Sequence, residues 1–324
     1  MSEKKKKRFS LFRYSINGKG VPKDVNEPRN FKFFFKLLGR NLNRLLSVNL
    51  VLMLTNVPVF FALFAASHNL DAISYSPVSS LFGPVYGALK IVGPDSPVSS
   101  TLYGVHCVQH EIFVTSTATN VFYIIGLLTI FTFGLSMVGT TYIIRNMVKG
   151  DPIFFMHDYK HAIKRNWKQG LIFGIIDIGL LFLIIYDILF FAANTHDYVS
   201  YLMYYIALAF GIIYFVMRYY IYVMMVTFKL GLYKLIKNSF IFALIGFKRN
   251  LLGTLGIVFL FLFSYSLLMI FPPLGALLPF ILTISVGQFI AIYTSWPKIY
   301  QIMIEPYKEE EPEPEEKPIF QDRG

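Results

Sequence analysis

The chain has 324 residues, of which 55% are hydrophobic and 15% charged, with a mean hydropathy of +0.54 and a formal net charge of +11. A soluble domain of this size cannot hide so much apolar surface, because its exterior must still meet water. The cations flank apolar stretches, which points to anionic lipid headgroups and away from nucleic acid. The lone Cys107 excludes an intrachain disulfide.

Residues 1–30 are polar and basic, carry Gly18, Gly20, Pro22 and Pro28, and are expected to be disordered. The run Lys4 to Arg8 leads into mixed residues without an apolar core, so no cleavable signal peptide is expected. Residues 31–44 mix Phe and Leu with Lys and Arg at helical spacing and read as an amphipathic helix in the interface. Six apolar stretches follow, each near the roughly 20 residues that a span needs. They are 45–66 (interrupted by Pro58), 120–144, 170–193, 198–225, 251–271 and 274–295, the last two meeting at Pro272 and Pro273. Residues 67–119, between the first two, are expected to form a long outer loop. The membrane domain thus covers 31–305, and the acidic, Pro-rich tail 306–324 is expected to be disordered. The fold class is an all-α integral membrane protein of about six transmembrane helices with interfacial helices.

The basic residues set the expected orientation. Of 30 Lys and Arg, 13 precede the first stretch, six lie in 145–169, six in 218–249 and four after 297. Only Lys90 falls in the remaining loops. This asymmetry predicts that both termini are cytoplasmic.

Three segments that enter a span share an Arg-Asn pair: FFKLLGRNLNRLLSV, YKHAIKRNWKQGLIF and FALIGFKRNLLGTLG. The pairs are Arg40 and Asn41, Arg165 and Asn166 (followed by Trp167), and Arg249 and Asn250. Three copies of an interfacial helix plus a two-span hairpin would explain them, with Arg snorkelling to phosphates and Asn capping the next helix. Chance would also explain them, since the pair recurs at Arg29 and Arg145 without opening a span.

The segment MVKGDPIFFMHDYKHAIKRNWKQGLIFGIIDIGLLFLIIYD resembles the YesL-like family of bacterial multi-pass membrane proteins, a domain of unknown function. The matching positions are Lys149, Gly150 and Asp151, then Asp158 and Tyr159, then Lys164, Asn166, Trp167 and Lys168. FFFKLLGRNLNRLLSVNLVLMLTNVP and LIKNSFIFAL are similar to the family's opening and later inner helix; the long outer loop departs from its pattern. The resemblance implies a bacterial cell-membrane location and genes near carbohydrate uptake and polysaccharide degradation, but no activity.

Asp177 and Asp187 lie inside the third stretch, where carboxylates are costly. Folding stretches three and four as a hairpin about 195–196 brings Asp177 level with Tyr214, one turn from Arg218, and Asp187 level with Tyr204. This cluster reads either as a proton or solute path or as interhelical glue, the latter being favoured because partners are at hand. Six of the eight tyrosines between Tyr198 and Tyr222 share an arc, which reads as an interfacial belt or as a sugar-stacking face. His106, Cys107, His110 and Glu111, and separately His157 and His161, have loose metal-ligand spacing. No metal site, cofactor or catalytic set is expected from them. The sequence therefore favours a non-enzymatic accessory or scaffold in the lipid bilayer, with carbohydrate ABC importer subunits as partners by resemblance only. A secondary transporter or channel-like protein using the intramembrane Asp, Arg and Tyr residues is the alternative.

Overall fold

The computed structural model describes residues 30–93, 96–195 and 197–308. The expected disordered segments lie outside these, apart from Asn30 and from Pro306 to Lys308, which join a short terminal helical turn. Helix α1 (Phe31–Thr55) starts where the Asn30 side chain accepts from the Phe33 backbone N–H at 2.9 Å. One stripe stays buried along its whole length: Phe33, Leu37, Asn41, Leu45, Val48, Asn49 and Leu52. The separate interfacial helix expected over 31–44 is thus not separate. No Pro interrupts residues 31–55, and the same face packs inward throughout. The break comes ahead of Pro58, which cannot donate a backbone hydrogen bond, and α2 (Pro58–Ala66) leaves at 61° to α1.

The expected outer loop is a folded lobe. Strand β1 (Ala72–Pro77) pairs antiparallel with β2 (Gln109–Val114), from Ala72 opposite Val114 to Pro77 opposite Gln109. Between them lie α3 (Phe82–Val92) and α4 (Pro97–His106), the latter opened by a Ser96–Ser99 capping box. At the neck of the lobe, Asp71 accepts from the Thr119 hydroxyl (2.5 Å), bonds His68 Nδ1 (2.7 Å) and accepts from the Ser116 backbone N–H (3.4 Å).

The second span is α5 (Thr117–Leu127) followed by α6 (Thr129–Lys149). The third is α7 (Phe155–Ala193), whose residue Asn166 leaves helical geometry at φ −118°, ψ 17°, so an entry segment is kinked against the span. Helix α8 (Tyr198–Thr227) is capped by Asp197, and α9 (Leu232–Ile245) leads into α10 (Phe247–Ile270). The last span is compound: α11 (Pro272–Leu278), a π-helical turn (Pro279–Thr283) and α12 (Ile284–Met303). Among the described residues, five helical segments are long and apolar enough to cross a membrane, and six if α1 and α2 form one bent span. The fold is that of an all-α membrane protein. Its core gathers the inner faces of α6, α8 and α12, including Ile143, Ile144, Tyr220, Met224, Phe289 and Trp296.

Candidate functional site: a buried carboxylate between two spans

Asp177 on α7 is completely buried. Three α8 side chains spaced four apart converge on it, because residues i, i+4 and i+8 share a helix face. Tyr214 donates its hydroxyl to Oδ1 at 2.8 Å, and Tyr222 donates to Oδ2 at 2.7 Å. Arg218 brings Nε to 2.8 Å from Oδ1, but that N–H is not aligned for a hydrogen bond, so the contact is an ion pair by proximity. The guanidinium carbon lies 5.9 Å from the centre of the Phe133 ring on α6, so three spans meet at the cluster. An isolated ion at this depth would be expensive, and closing both oxygens with donors offsets that cost.

Tyr214 and Arg218 lie where the folded hairpin predicts them, and Tyr222 joins them without having been expected. The signal was the four-residue spacing from Arg218. Asp187 and Tyr204 are not joined: both are half-buried, no hydrogen bond links them, and the Tyr204 ring packs edge-on against Tyr205 at 5.5 Å. The tyrosine arc also divides. Tyr198, Tyr201 and Tyr205 are exposed at one end of α8, whereas Tyr219 is buried at the other with its hydroxyl 3.1 Å from that of Thr254.

The close approach of α6 and α7 fixes the height of Asp177. Gly170 and Gly174 form a GxxxG step facing Gly134, and a Cβ on Gly174 would sit 2.5 Å from the Gly134 Cα. Backbones can pass this near only without side chains.

Two other buried amides hold the bundle, and neither was anticipated. Asn49 of α1 donates to the carbonyls of Pro279 (2.9 Å) and Phe280 (2.5 Å) and accepts from the Ser285 N–H (2.9 Å). It thus occupies backbone groups at the π-helical turn, where the regular ladder is disturbed. Asn56, at the α1–α2 bend, donates to the Ser136 hydroxyl at 2.9 Å.

The Arg-Asn pairs behave differently from the capping expected of them. Asn41 donates to the Leu37 carbonyl (3.0 Å), Asn166 to that of Ala162 (3.0 Å) and Asn250 to that of Ala243 (2.9 Å). Each amide reaches back to a preceding carbonyl instead of accepting from the N–H groups ahead. In α1 the helix is continuous, so those N–H groups already have partners. Asn250 also accepts from the Tyr220 hydroxyl at 2.6 Å. Arg40 is exposed and Arg249 half-buried. Arg165 donates to the Val226 carbonyl at 2.5 Å, and Trp167 is half exposed. Arg145, whose Arg-Asn pair opens no span, is buried and donates to the same Val226 carbonyl at 2.8 Å. Two cations at the last turn of α8 complement the negative end of its dipole.

Of the residues with metal-ligand spacing, His106 ends α4 and bonds Ser79, while His110 and Glu111 are successive residues of β2. His157 and His161 stack with ring centres 6.1 Å apart. Among the described residues, no three His, Cys, Asp or Glu side chains gather closely enough to hold an ion.

Together these features define a multi-span helical membrane protein stapled by buried polar side chains. Residues 116–188, which contain α6, the Gly134 crossing and Asp177, match a family model described as a protein of unknown function, DUF624. No curated protein and no solved structure matches the chain.

Proposed function

We propose that this chain is a non-enzymatic accessory or scaffold subunit of a bacterial cell membrane, with both termini cytoplasmic. The observation that carries the reading is the enclosure of Asp177 by side chains of the neighbouring span. A carboxylate that relays protons or binds solute must offer an oxygen to its cargo. Here each oxygen already accepts a tyrosine hydroxyl of the neighbouring span, Oδ1 also faces the Arg218 guanidinium, and the whole group is buried away from any cargo. Such a cluster sets the register of α7 against α8. Service to a carbohydrate ABC importer is supported by the YesL-like resemblance of 147–187 and neighbouring segments.

The test is affinity purification from the native host with mass spectrometry of the captured proteins, alongside sugar uptake by vesicles holding the purified chain alone. An accessory should bring importer subunits with it and leave sugar outside. Uptake by the chain alone, abolished by Asp177→Asn in protein that still folds, would replace the scaffold with the rival transporter.

A further inference from the structure

We propose that the groove between the α7 kink and the α8–α9 connection binds the phosphate of an anionic lipid headgroup. The groove encloses about 490 Å³ and is lined on one side by residues 164–169 and on the other by 228–231. Its charged residues are Lys164, Arg165, Lys168 and Lys229, and among the described residues no acidic side chain lines it. The three lysines are exposed and have no carboxylate within salt-bridge distance among the described residues, so their charge is not neutralised by an ion pair there.

The groove is built rather than incidental. Asn166 breaks the helix at its centre, and the Arg165 bond to Val226 and a Gln169 bond to the Leu230 carbonyl (2.7 Å) hold its two walls together. Position selects a lipid over a soluble anion. The kink lies four residues before Gly170 and the start of the apolar stretch. Trp167, half exposed with Lys168 Nζ 5.6 Å from its ring centre, is the aromatic residue expected at headgroup depth. Basic pockets of this kind between membrane helices suit phosphate headgroups.

The experiment is native mass spectrometry of the full chain in mixed micelles of phosphatidylglycerol and phosphatidylcholine. The wild type should retain phosphatidylglycerol selectively. The triple variant Lys164→Gln, Lys168→Gln, Lys229→Gln should bind it about 100-fold more weakly, at roughly fivefold per lysine near a charged surface. A charge-matched triple, Lys234→Gln, Lys237→Gln, Lys248→Gln, should bind like the wild type. Both triples should melt like the wild type, since all six lysines are exposed. Equal loss in the two triples would reduce the site to diffuse charge and overturn it, as would undiminished binding in the first. Displacement of the lipid by millimolar inorganic phosphate or glycerol phosphate would overturn the lipid as the source.

Discussion

Asp177→Asn preserves shape and removes the charge, so its effect can be worked from the three contacts. An amide offers one acceptor oxygen where the carboxylate offers two. If the oxygen stays toward Tyr214, the Tyr222 hydroxyl meets an NH₂ group at the former 2.7 Å position. An unsatisfied buried partner costs about 1–3 kcal/mol, and breaking a buried pair about 3–5 kcal/mol in all. Arg218→Gln should cost about 3 kcal/mol, because the fully buried Asp177 is then left without its cation. In the double variant neither charge remains, and about 1–2 kcal/mol should be lost, far below the sum of the single changes. At roughly 2 °C per kcal/mol for a chain of this size, the single variants should melt about 6–10 °C early and the double about 2–4 °C early. The assay is thermal unfolding of the full chain in one detergent, followed by intrinsic fluorescence. Strict additivity of the two single losses would refute the pairing.

Gly174→Val should cost about 3 kcal/mol or more in the same assay, since its Cβ would lie 2.5 Å from the Gly134 Cα and two backbones would have to part. Asn49→Leu leaves the groups at the π-helical turn without their side-chain partner and should cost about 2–4 kcal/mol; a melting point within 1–2 °C of wild type would show that the turn is satisfied otherwise. At the lobe neck, the Thr119 hydroxyl, then His68, hold the Asp71 carboxyl below the usual carboxylate range. A depressed folded value means stabilisation that is present above the unfolded value of about 3.9 and lost as pH falls through the lower folded one. Hydrogen exchange in β1 and β2 should therefore quicken at acid pH beyond its intrinsic dependence, and Asp71→Asn should flatten that change. A reporter active only outside the cytoplasm should work when fused after Asn194 and be silent after Gly150 or Phe247; activity at Gly150 would overturn the orientation.

The number and rough place of the apolar spans were readable because hydropathy over 20 residues is a strong local signal. The helix ends were not: α1 runs unbroken from Phe31 and α12 continues to Met303. The Asp177 cluster was partly readable, because a hairpin with a short turn ties the heights of α7 and α8 together. The same reckoning failed for Asp187 and Tyr204: equal height does not place two side chains on facing surfaces. The step at Gly170 and Gly174 is visible in the sequence, but its partner Gly134 lies on another span, and nothing local names it. Asn49 and the π-helical turn are some 230 residues apart in sequence, beyond any local pattern. The lobe was hidden by composition: strands of six residues flanked by Ser, Pro and Gly look like a loop until they pair.

The pairing of β1 with β2 has a consequence for how the chain tolerates change. Pro77 and Gln109 stand opposite each other, and the Val78 N–H donates to the Val108 carbonyl at 3.1 Å. The described residues between 78 and 108 therefore leave and rejoin the molecule at one point, like a bead on a closed clasp. The length of this segment is decoupled from the register of the helices below, so it can grow, shrink or be exchanged for a foreign module without shifting the bundle. The lobe tip is thus a natural position for carrying a fluorescent or affinity module.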